Sequence, residues 1–333
     1  MTLGLAFDAL LCLLILSAAG LAVCGRRLFA SIAFFVTYGI LIGISWLRLG
    51  AVDVALAEVA IGAGLTGVLL IGAWAAIRRR RGNDGLALDA TGAMNAADEA
   101  EAGDDPVMPR PRRLVAAVAC SVLAGLLAAA VAALPAEVPG LLPAVTEKLA
   151  DSGVSNPVTA VLLNFRAYDT LMESIVLLMA LVAVWALTPE ALWGDEPGLR
   201  QHARGDGVLA TFGKVLPPLG ALVGAYLIWA GSDRPGGAFQ GGTILAAVWL
   251  LAIMAGMARA PRQSSRFLRL ALVAGPVVFL GVGLAGAAFG VFLGFSAEYA
   301  KRLILLIELA LAVSIAATLA LLVAGTPVAR GGS

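Results

Sequence analysis

Apolar stretches of about 20 residues recur along the chain, and short polar segments separate them. A helix needs about 20 apolar residues to cross the hydrocarbon core of a bilayer. The pattern therefore predicts an all-α integral membrane protein with about nine transmembrane helices, at 3–23, 28–47, 54–77, 114–134, 169–187, 208–230, 239–258, 267–295 and 303–324. The first stretch lacks a basic leader and is interrupted by Asp8, so we expect a retained helix and not a signal peptide.

Basic residues are distributed unevenly between the two predicted sides of the membrane. If the N-terminus is outside, 17 of the 23 lysines and arginines fall on the inner side, and the outer side holds Arg48, Lys148, Arg166, Arg234, Lys301 and Arg302. Cytoplasmic segments are enriched in Lys and Arg. The distribution predicts an outer N-terminus and a cytoplasmic C-terminus.

Two polar segments divide the predicted helices into three groups. Residues 82–113 are rich in Gly, Asp, Glu, Asn and Pro, which favours a flexible linker. Four arginines precede this segment and three more lie at its end, so we expect it to be cytoplasmic. A second break, predicted as a cytoplasmic linker over 191–207, separates two helices from the last four.

Composition excludes several classes of protein. The chain is 60% hydrophobic and 14% charged, whereas soluble domains are about 25% charged. The three cysteines form no CxxC pair and there is one histidine, which argues against a zinc site, an iron–sulfur cluster or histidine-based catalysis. A net charge of +1 gives no reason to expect nucleic acid. We expect a membrane protein that is not an enzyme and holds no cofactor.

Charged residues within apolar spans are costly, by roughly 2.5–3.5 kcal/mol each, and are candidates for function. Asp53 and Glu58 lie at the start of the third span, and Glu58 is followed by Gly62, Gly64 and Gly67. These glycines predict a helix distortion, either a close helix contact or a π-bulge. Asp53 and Glu58 are candidates for an ion or proton pathway, with a helix cap as the alternative for Asp53.

A second charged group leads into the fifth predicted span. Arg166, Asp169 and Glu173 follow at three- and four-residue spacing and therefore share one helical face. The spacing predicts an Arg166–Asp169 ion pair, and the pair would lower the cost of burying Glu173. Asp169 and Glu173 are candidates for the pathway, and an ion-paired helix end is the alternative for Asp169.

The last span carries a third group. Lys301 and Glu308 are seven residues apart and share a face, separated by about 10 Å of helix. This distance favours a hydrated relay over a direct salt bridge. The alternative is that Lys301 extends to the membrane surface. A glycine-rich segment, 231–242, joins the sixth and seventh predicted spans. Its backbone is expected to pack closely against another element, or to form a plain external turn.

These segments resemble known modules of ion-transporting membrane complexes. Residues 51–65 (AVDVALAEVAIGAGL) are similar to the MbhD signature, with Val52 and Ala57 where Pro and Thr are usual. Residues 161–173 (VLLNFRAYDTLME) resemble the MbhE type, and 235–242 (PGGAFQGG) resemble the MnhB/MrpB type. Asp233 stands near a position where many relatives have His.

The resemblance implies three modules: an MbhD-like three-helix module over 1–81, an MbhE-like two-helix module over 114–190 and an MnhB/MrpB-like four-helix module over 208–325. It implies a subunit of a multisubunit Mrp-type antiporter that exchanges Na⁺ or K⁺ for H⁺ in a bacterial or archaeal cell membrane. The A-, C-, D-, E-, F- and G-type subunits would be its partners.

Two alternatives remain open at this point. The same modules occur in the membrane arm of energy-converting hydrogenases and of complex-I-like, redox-driven ion pumps. The chain could also be an assembly scaffold whose charges have no direct role in transport.

Overall fold

The structure, a computed structural model, describes residues 2–25, 27–83, 110–135, 140–198 and 207–327. Most of the predicted linkers 82–113 and 191–207 lies outside these residues. Twelve α-helices are described: α1 Thr2–Cys24, α2 Leu28–Arg48, α3 Val52–Ala57, α4 Thr66–Asn83, α5 Arg110–Ala132, α6 Leu142–Lys148, α7 Pro157–Ala160, α8 Ala167–Ala186, α9 Val208–Ala230, α10 Ala238–Met254, α11 Arg266–Ala288 and α12 Ala297–Ala324.

Two π-helical segments, Glu58–Leu65 and Val161–Phe165, and two short 3₁₀ turns, Ala150–Ser152 and Glu190–Leu192, complete the regular structure. Within the described ranges there is no β-strand, although Gly198 and Pro327 form one isolated β-bridge. The predicted all-α membrane fold is confirmed.

Eight helical stretches in the described residues are long and apolar enough to cross a membrane. The stretch Val52–Arg78 among them joins α3, the first π-helical segment and most of α4. The seventh predicted span, 239–258, corresponds to α10, which has 17 residues and is therefore about 25 Å long. This is shorter than the hydrocarbon core, which is about 30 Å thick. The orientation of the termini stays a prediction.

The prediction that the eighth span runs from 267 to 295 is wrong at its C-terminal end. Helix α11 stops at Ala288, and Gly290 follows with a φ of +104°. That left-handed conformation is one that glycine adopts without strain, so it ends the helix. Leu293, with a φ of 59°, and Phe295 turn back into the core.

Helices α1 to α4 pack together, with α2 in contact with α1 on one side and with α3, the first π-helical segment and α4 on the other. The contact between α2 and the first π-helical segment is close because glycines face it. A Cβ placed on Gly39 would lie 3.0 Å from the Cβ of Ala63, and one on Gly43 would overlap Val59. The predicted close contact and the predicted distortion at Gly62 and Gly64 are both present, and Gly67 lies one residue beyond the start of α4.

Helix α12 is the centre of the molecule. It packs against α8, α9, α10 and α11, and it contributes more buried side chains to the core than any other helix, including Ile304, Ile307, Leu311 and Ile315. By contrast, every described side chain of α5 is exposed. Among the described residues several polar side chains are buried, and five of them lie around the segment that precedes α10: Asp53, Asn156, Thr159, Ser232 and Glu308.

Candidate functional site: a carboxylate pair at the glycine-rich segment

Asp53 binds the backbone of the glycine-rich segment that precedes α10. Its Oδ1 atom accepts a hydrogen bond of 2.8 Å from the N–H of Gly236, and its carbonyl oxygen accepts one of 3.3 Å from Nε2 of Gln240. The side chain is 8% exposed. The alternative that Asp53 caps its own helix is wrong, because the N-cap of α3 is Ala51 and the Asp53 carboxylate is directed to another module.

Glu308 approaches the same segment from the opposite side. It is 3% exposed, and the backbone N–H of Ala238 donates a hydrogen bond to its carboxylate. The other carboxylate oxygen, Oε2, has no hydrogen-bond partner within the part of the chain that is described. An orphaned acceptor at such depth is uncommon, since most buried polar atoms are paired.

Glycines make the approach of Glu308 possible. A Cβ placed on Gly231 or on Gly237 would lie 2.9 Å from Oε1 of Glu308. Gly236 and Gly237 have φ values of +155° and +121°, which aim successive N–H groups in different directions. One N–H of this segment therefore reaches Asp53, and another, two residues later, reaches Glu308.

The glycine-rich segment is held from a third direction by α7. Asn156 donates from Nδ2 to the carbonyl oxygens of Gly231 (3.1 Å) and Arg234 (3.0 Å). Thr159 donates from Oγ1 to Gly231 at 2.6 Å. Sequence reasoning missed both residues. The available signal was Asn156 before Pro157, an arrangement typical of a helix start, which marks a cap but not its distant partners.

Lys301 is paired with Asp233 and not with Glu308. Its Nζ atom donates to Oδ2 of Asp233 at 2.6 Å, and Ser155 donates to Oδ1 at 2.8 Å. These two donors hold the pKa of the Asp233 carboxyl below its usual range. Lys301 therefore lies at the exposed end of α12, as its alternative interpretation expected, and the hydrated relay between Lys301 and Glu308 stays a prediction.

A half-open cavity of about 270 Å³ lies beside Asp53. It is lined by the start of α3 (Gly50, Ala51, Val52, Asp53, Val54), by the start of α7 (Ser155, Asn156, Pro157, Val158) and by Asp233, Arg234 and Pro235. These three segments were all predicted to lie outside, and the structure places them together. Among the described residues no three His, Cys, Asp or Glu side chains are grouped so as to hold a metal ion.

Glu58 is half-buried at the first residue of the π-helical segment Glu58–Leu65. Its carboxylate lies over Gly62, where an added Cβ would come within 2.9 Å of Cδ. Gly62 thus leaves room for a carboxylate that a larger residue would displace.

The second predicted group, Arg166, Asp169 and Glu173, lies at the start of α8. Arg166 and Asp169 form the expected ion pair, with Nη2 and Oδ2 at 2.6 Å, and both are exposed. Glu173 is also exposed on the surface of this chain, within a helix long and apolar enough to cross a membrane, and its place in the pathway stays a prediction. The inner face of α8 carries Thr170, Leu171 and Ser174 instead.

The sequence analysis did not predict one further ion pair, between Asp8 and Arg48. Asp8 accepts hydrogen bonds from Arg48 at 2.8 and 3.2 Å, which links α1 to the end of α2. An aspartate inside the first apolar stretch and an arginine at the end of the second were the available signal. Pairing offsets part of the cost of placing Asp8 in that stretch.

Family models match two parts of the chain. Residues 208–329 match a domain related to the MnhB subunit of Na⁺/H⁺ antiporter, and residues 13–79 match MbhD, the D-type subunit of MBH. Together the two matches cover more than half of the chain. The chain belongs to the Mrp/Mnh-type antiporter subunits. The glycine-rich segment and Glu308 lie in the MnhB-related domain, and Asp53 and Glu58 lie in the MbhD domain.

Two curated proteins are similar over part of their length. An uncharacterised protein of Methanocaldococcus jannaschii is 31% identical over 153 residues, which are 41% of this chain and 58% of that protein. A probable K⁺/H⁺ antiporter A/B-type subunit of Rhizobium meliloti is 29% identical over 177 residues, 45% of this chain and 17% of that protein. The chain therefore spans about half of the first relative and a small part of the second.

Two solved structures share the fold. The Mrp complex from Dietzia sp. DQ12-45-1b aligns with a TM-score of 0.66 and 24% identity over 93% of this chain and 34% of that one. The membrane-bound sulfane sulfur reductase, an archaeal respiratory membrane complex, aligns with a TM-score of 0.54 and 26% identity over 63% of this chain and 95% of that one. The apolar helices and this family place the protein in the cell membrane as a multi-pass protein.

Proposed function

We propose that this protein is a non-catalytic subunit of a multisubunit antiporter that exchanges Na⁺ or K⁺ for H⁺, and that Asp53 and Glu308 belong to its ion or proton pathway. The antiporter domains and the relative named as a K⁺/H⁺ antiporter subunit support the complex. The carboxylate pair at the junction of two modules supports the pathway.

The observation that carries the pathway is the burial of Glu308 with one oxygen unpartnered. A buried carboxyl with a free acceptor can take up a proton or a monovalent cation without breaking an existing hydrogen bond. A purely structural carboxylate is normally satisfied on both oxygens, because an unpaired buried polar atom costs roughly 1–3 kcal/mol. The fold retains the buried Glu308 carboxylate despite this energetic cost, which is typical of a functional site.

Asp53 supplies a second carboxylic acid, on the outer side of the Glu308 carboxylate. The N–H groups of Gly236 and Ala238 are two residues apart, so their nitrogens are at most about 7 Å apart. Two carboxylates bound to these N–H groups repel each other in a low dielectric, and one proton or one cation between them relieves the repulsion. The cavity beside Asp53 gives water access to this end of the pair.

Glu58, Glu173 and Asp169 stay candidates for the same pathway. Glu58 has the strongest case, since it lies half-buried in a π-helical segment whose backbone carbonyls are irregularly paired. Lys301 acts through Asp233 and positions the glycine-rich segment.

The test is exchange in everted vesicles that contain the whole complex. Glu308→Gln retains the shape of the side chain but removes its charge and its exchangeable proton. Exchange should be abolished or strongly slowed while the complex remains assembled on native gels. Glu298→Gln, at the exposed start of the same helix, is the matched control and should exchange normally.

A second candidate function is a membrane-arm subunit of a redox-driven ion pump. The alignment that covers 95% of the sulfane sulfur reductase chain favours it. The two functions differ in their driving force: the antiporter exchanges cations in vesicles energised only by a pH gradient, and a redox-driven pump requires an electron donor. A scaffold without a role in transport would leave exchange intact in every carboxylate variant.

A further inference from the structure

The outward face of α8 carries a carboxylate in a membrane-spanning helix. Glu173 lies six residues after Ala167, about 9 Å along the helix axis, and it is exposed in this chain. It makes no hydrogen bond or ion pair with the described residues. Arg166, the nearest arginine along the helix, is already paired with Asp169.

Contact with the hydrocarbon of the lipid is energetically unfavourable for the Glu173 side chain. An ionised carboxylate facing hydrocarbon is costly, and a protonated one still has a donor and acceptors that hydrocarbon cannot satisfy. Charged residues in transmembrane segments almost always face protein or a water-filled cavity. The face of α8 that carries Glu173 is therefore a surface that another protein element covers.

The residues beyond Glu173 on this face indicate what kind of element fits. Val176, Ala180 and Ala183 follow at three- and four-residue spacing, and all are exposed, Val176 by 66%. Small residues at this spacing permit the close approach of a second helix. We define the α8 outer face as Asp169, Glu173, Val176, Ala180 and Ala183.

We propose that the α8 outer face binds a transmembrane helix of another subunit, and that this helix carries a lysine or arginine level with Glu173. A cation is the complementary partner because the carboxylate of Glu173 is unpaired and the one arginine beside it is committed to Asp169. The proposal rests on the proposed function only in that the chain works within a complex.

The first experiment identifies the occupant in the intact complex. A photo-activated cross-linking residue is placed at Val176 or Ala180, and the adducts formed in native membranes are mapped by mass spectrometry. The expected adduct joins α8 to a membrane-spanning helix of another subunit with a Lys or Arg at the level of Glu173. Adducts to lipid alone, to residues 114–132 of this chain, or to a helix without such a residue would overturn the proposal.

The second experiment measures assembly and not transport, so it stays informative if antiport itself is absent. Glu173→Leu should lower the share of this chain recovered in the complex at least tenfold, because it leaves the partner's cation unpaired. If the face were covered by lipid, leucine would be harmless or favourable. Glu173→Lys should be as damaging and should be rescued when the cross-linked cation is changed to Glu.

Glu190→Lys is the matched control, since it reverses an exposed charge in the short turn after α8. It should assemble normally. Normal assembly of both Glu173→Leu and Glu173→Lys would contradict the proposal.

Discussion

Asp53 and Glu308 accept hydrogen bonds from N–H groups that lie two residues apart, on Gly236 and Ala238. The two acids are 255 positions apart in the sequence and come from different modules. The backbone between their donors consists of glycine in left-handed conformations, so the spacing of the two carboxylates depends on those glycines.

Replacement of Gly237 tests this dependence. Gly237→Ala should slow exchange and lower the thermal stability of the complex, because its φ of +121° disfavours a Cβ and the Cβ would lie 2.9 Å from Oε1 of Glu308. A strained residue of this kind costs about 1–3 kcal/mol. Gly256→Ala is the control, since Gly256 has a φ of +74° but open space around it. If both variants reduce exchange equally, strain and not carboxylate geometry is responsible.

The position of the Glu58 carboxylate depends in the same way on Gly62. Gly62→Ala should slow exchange several-fold, because the new methyl group overlaps the carboxylate and displaces it. Gly72→Ala lies in the same apolar stretch with nothing within 4 Å, and it should exchange normally. Equal rates in the two variants would remove Glu58 from the pathway.

The Asp233–Lys301 pair should give a specific pH dependence of stability. The pKa of Asp233 lies below its ordinary value of 3.8 because Lys301 and Ser155 donate to the carboxylate. Its contribution is therefore fully present above about pH 4 and is lost as pH falls through the lowered pKa.

We expect the melting temperatures of the wild type and Asp233→Asn to differ by a constant amount between pH 5 and 8. The difference should shrink below pH 4. The pair is exposed, so its contribution is at most about 1 kcal/mol. A difference that disappears near pH 6 would show that another group is responsible.

The orientation predicted from the basic residues can be measured by cysteine labelling. In a background without Cys12, Cys24 and Cys120, a cysteine at Ser296 should react with an impermeant maleimide in intact cells. A cysteine at Arg259 should react only after the membrane is opened. The reverse pattern would place the N-terminus and the cavity beside Asp53 on the inner side.

The sequence predicted the local features of this fold well. The apolar stretches identified the helices, the glycines after Glu58 indicated a close helix contact or a π-bulge, and the spacing of Arg166 and Asp169 predicted their ion pair. Each of these depends on residues within one or two helical turns, where side-chain spacing determines which groups meet.

The long-range partners could not be predicted in this way. Nothing within the apolar stretch around Glu308 indicates that its carboxylate meets Ala238, and nothing near Asp53 identifies Gly236. The direction in which the face of α8 with Glu173 points could not be predicted from the sequence either. The spacing of Glu173 placed it correctly on one face with Asp169, but only the packing of α8 against α11 and α12 determines that this face points out of the chain.

We propose that Glu308 takes up and releases a proton or cation during exchange. The most direct measurement is cation/proton exchange by the whole complex in everted vesicles for Glu308→Gln beside Glu298→Gln, with assembly checked on native gels. The Glu308→Gln complex should assemble but show little or no exchange, and the Glu298→Gln complex should behave as the wild type. Normal exchange by assembled Glu308→Gln would contradict it.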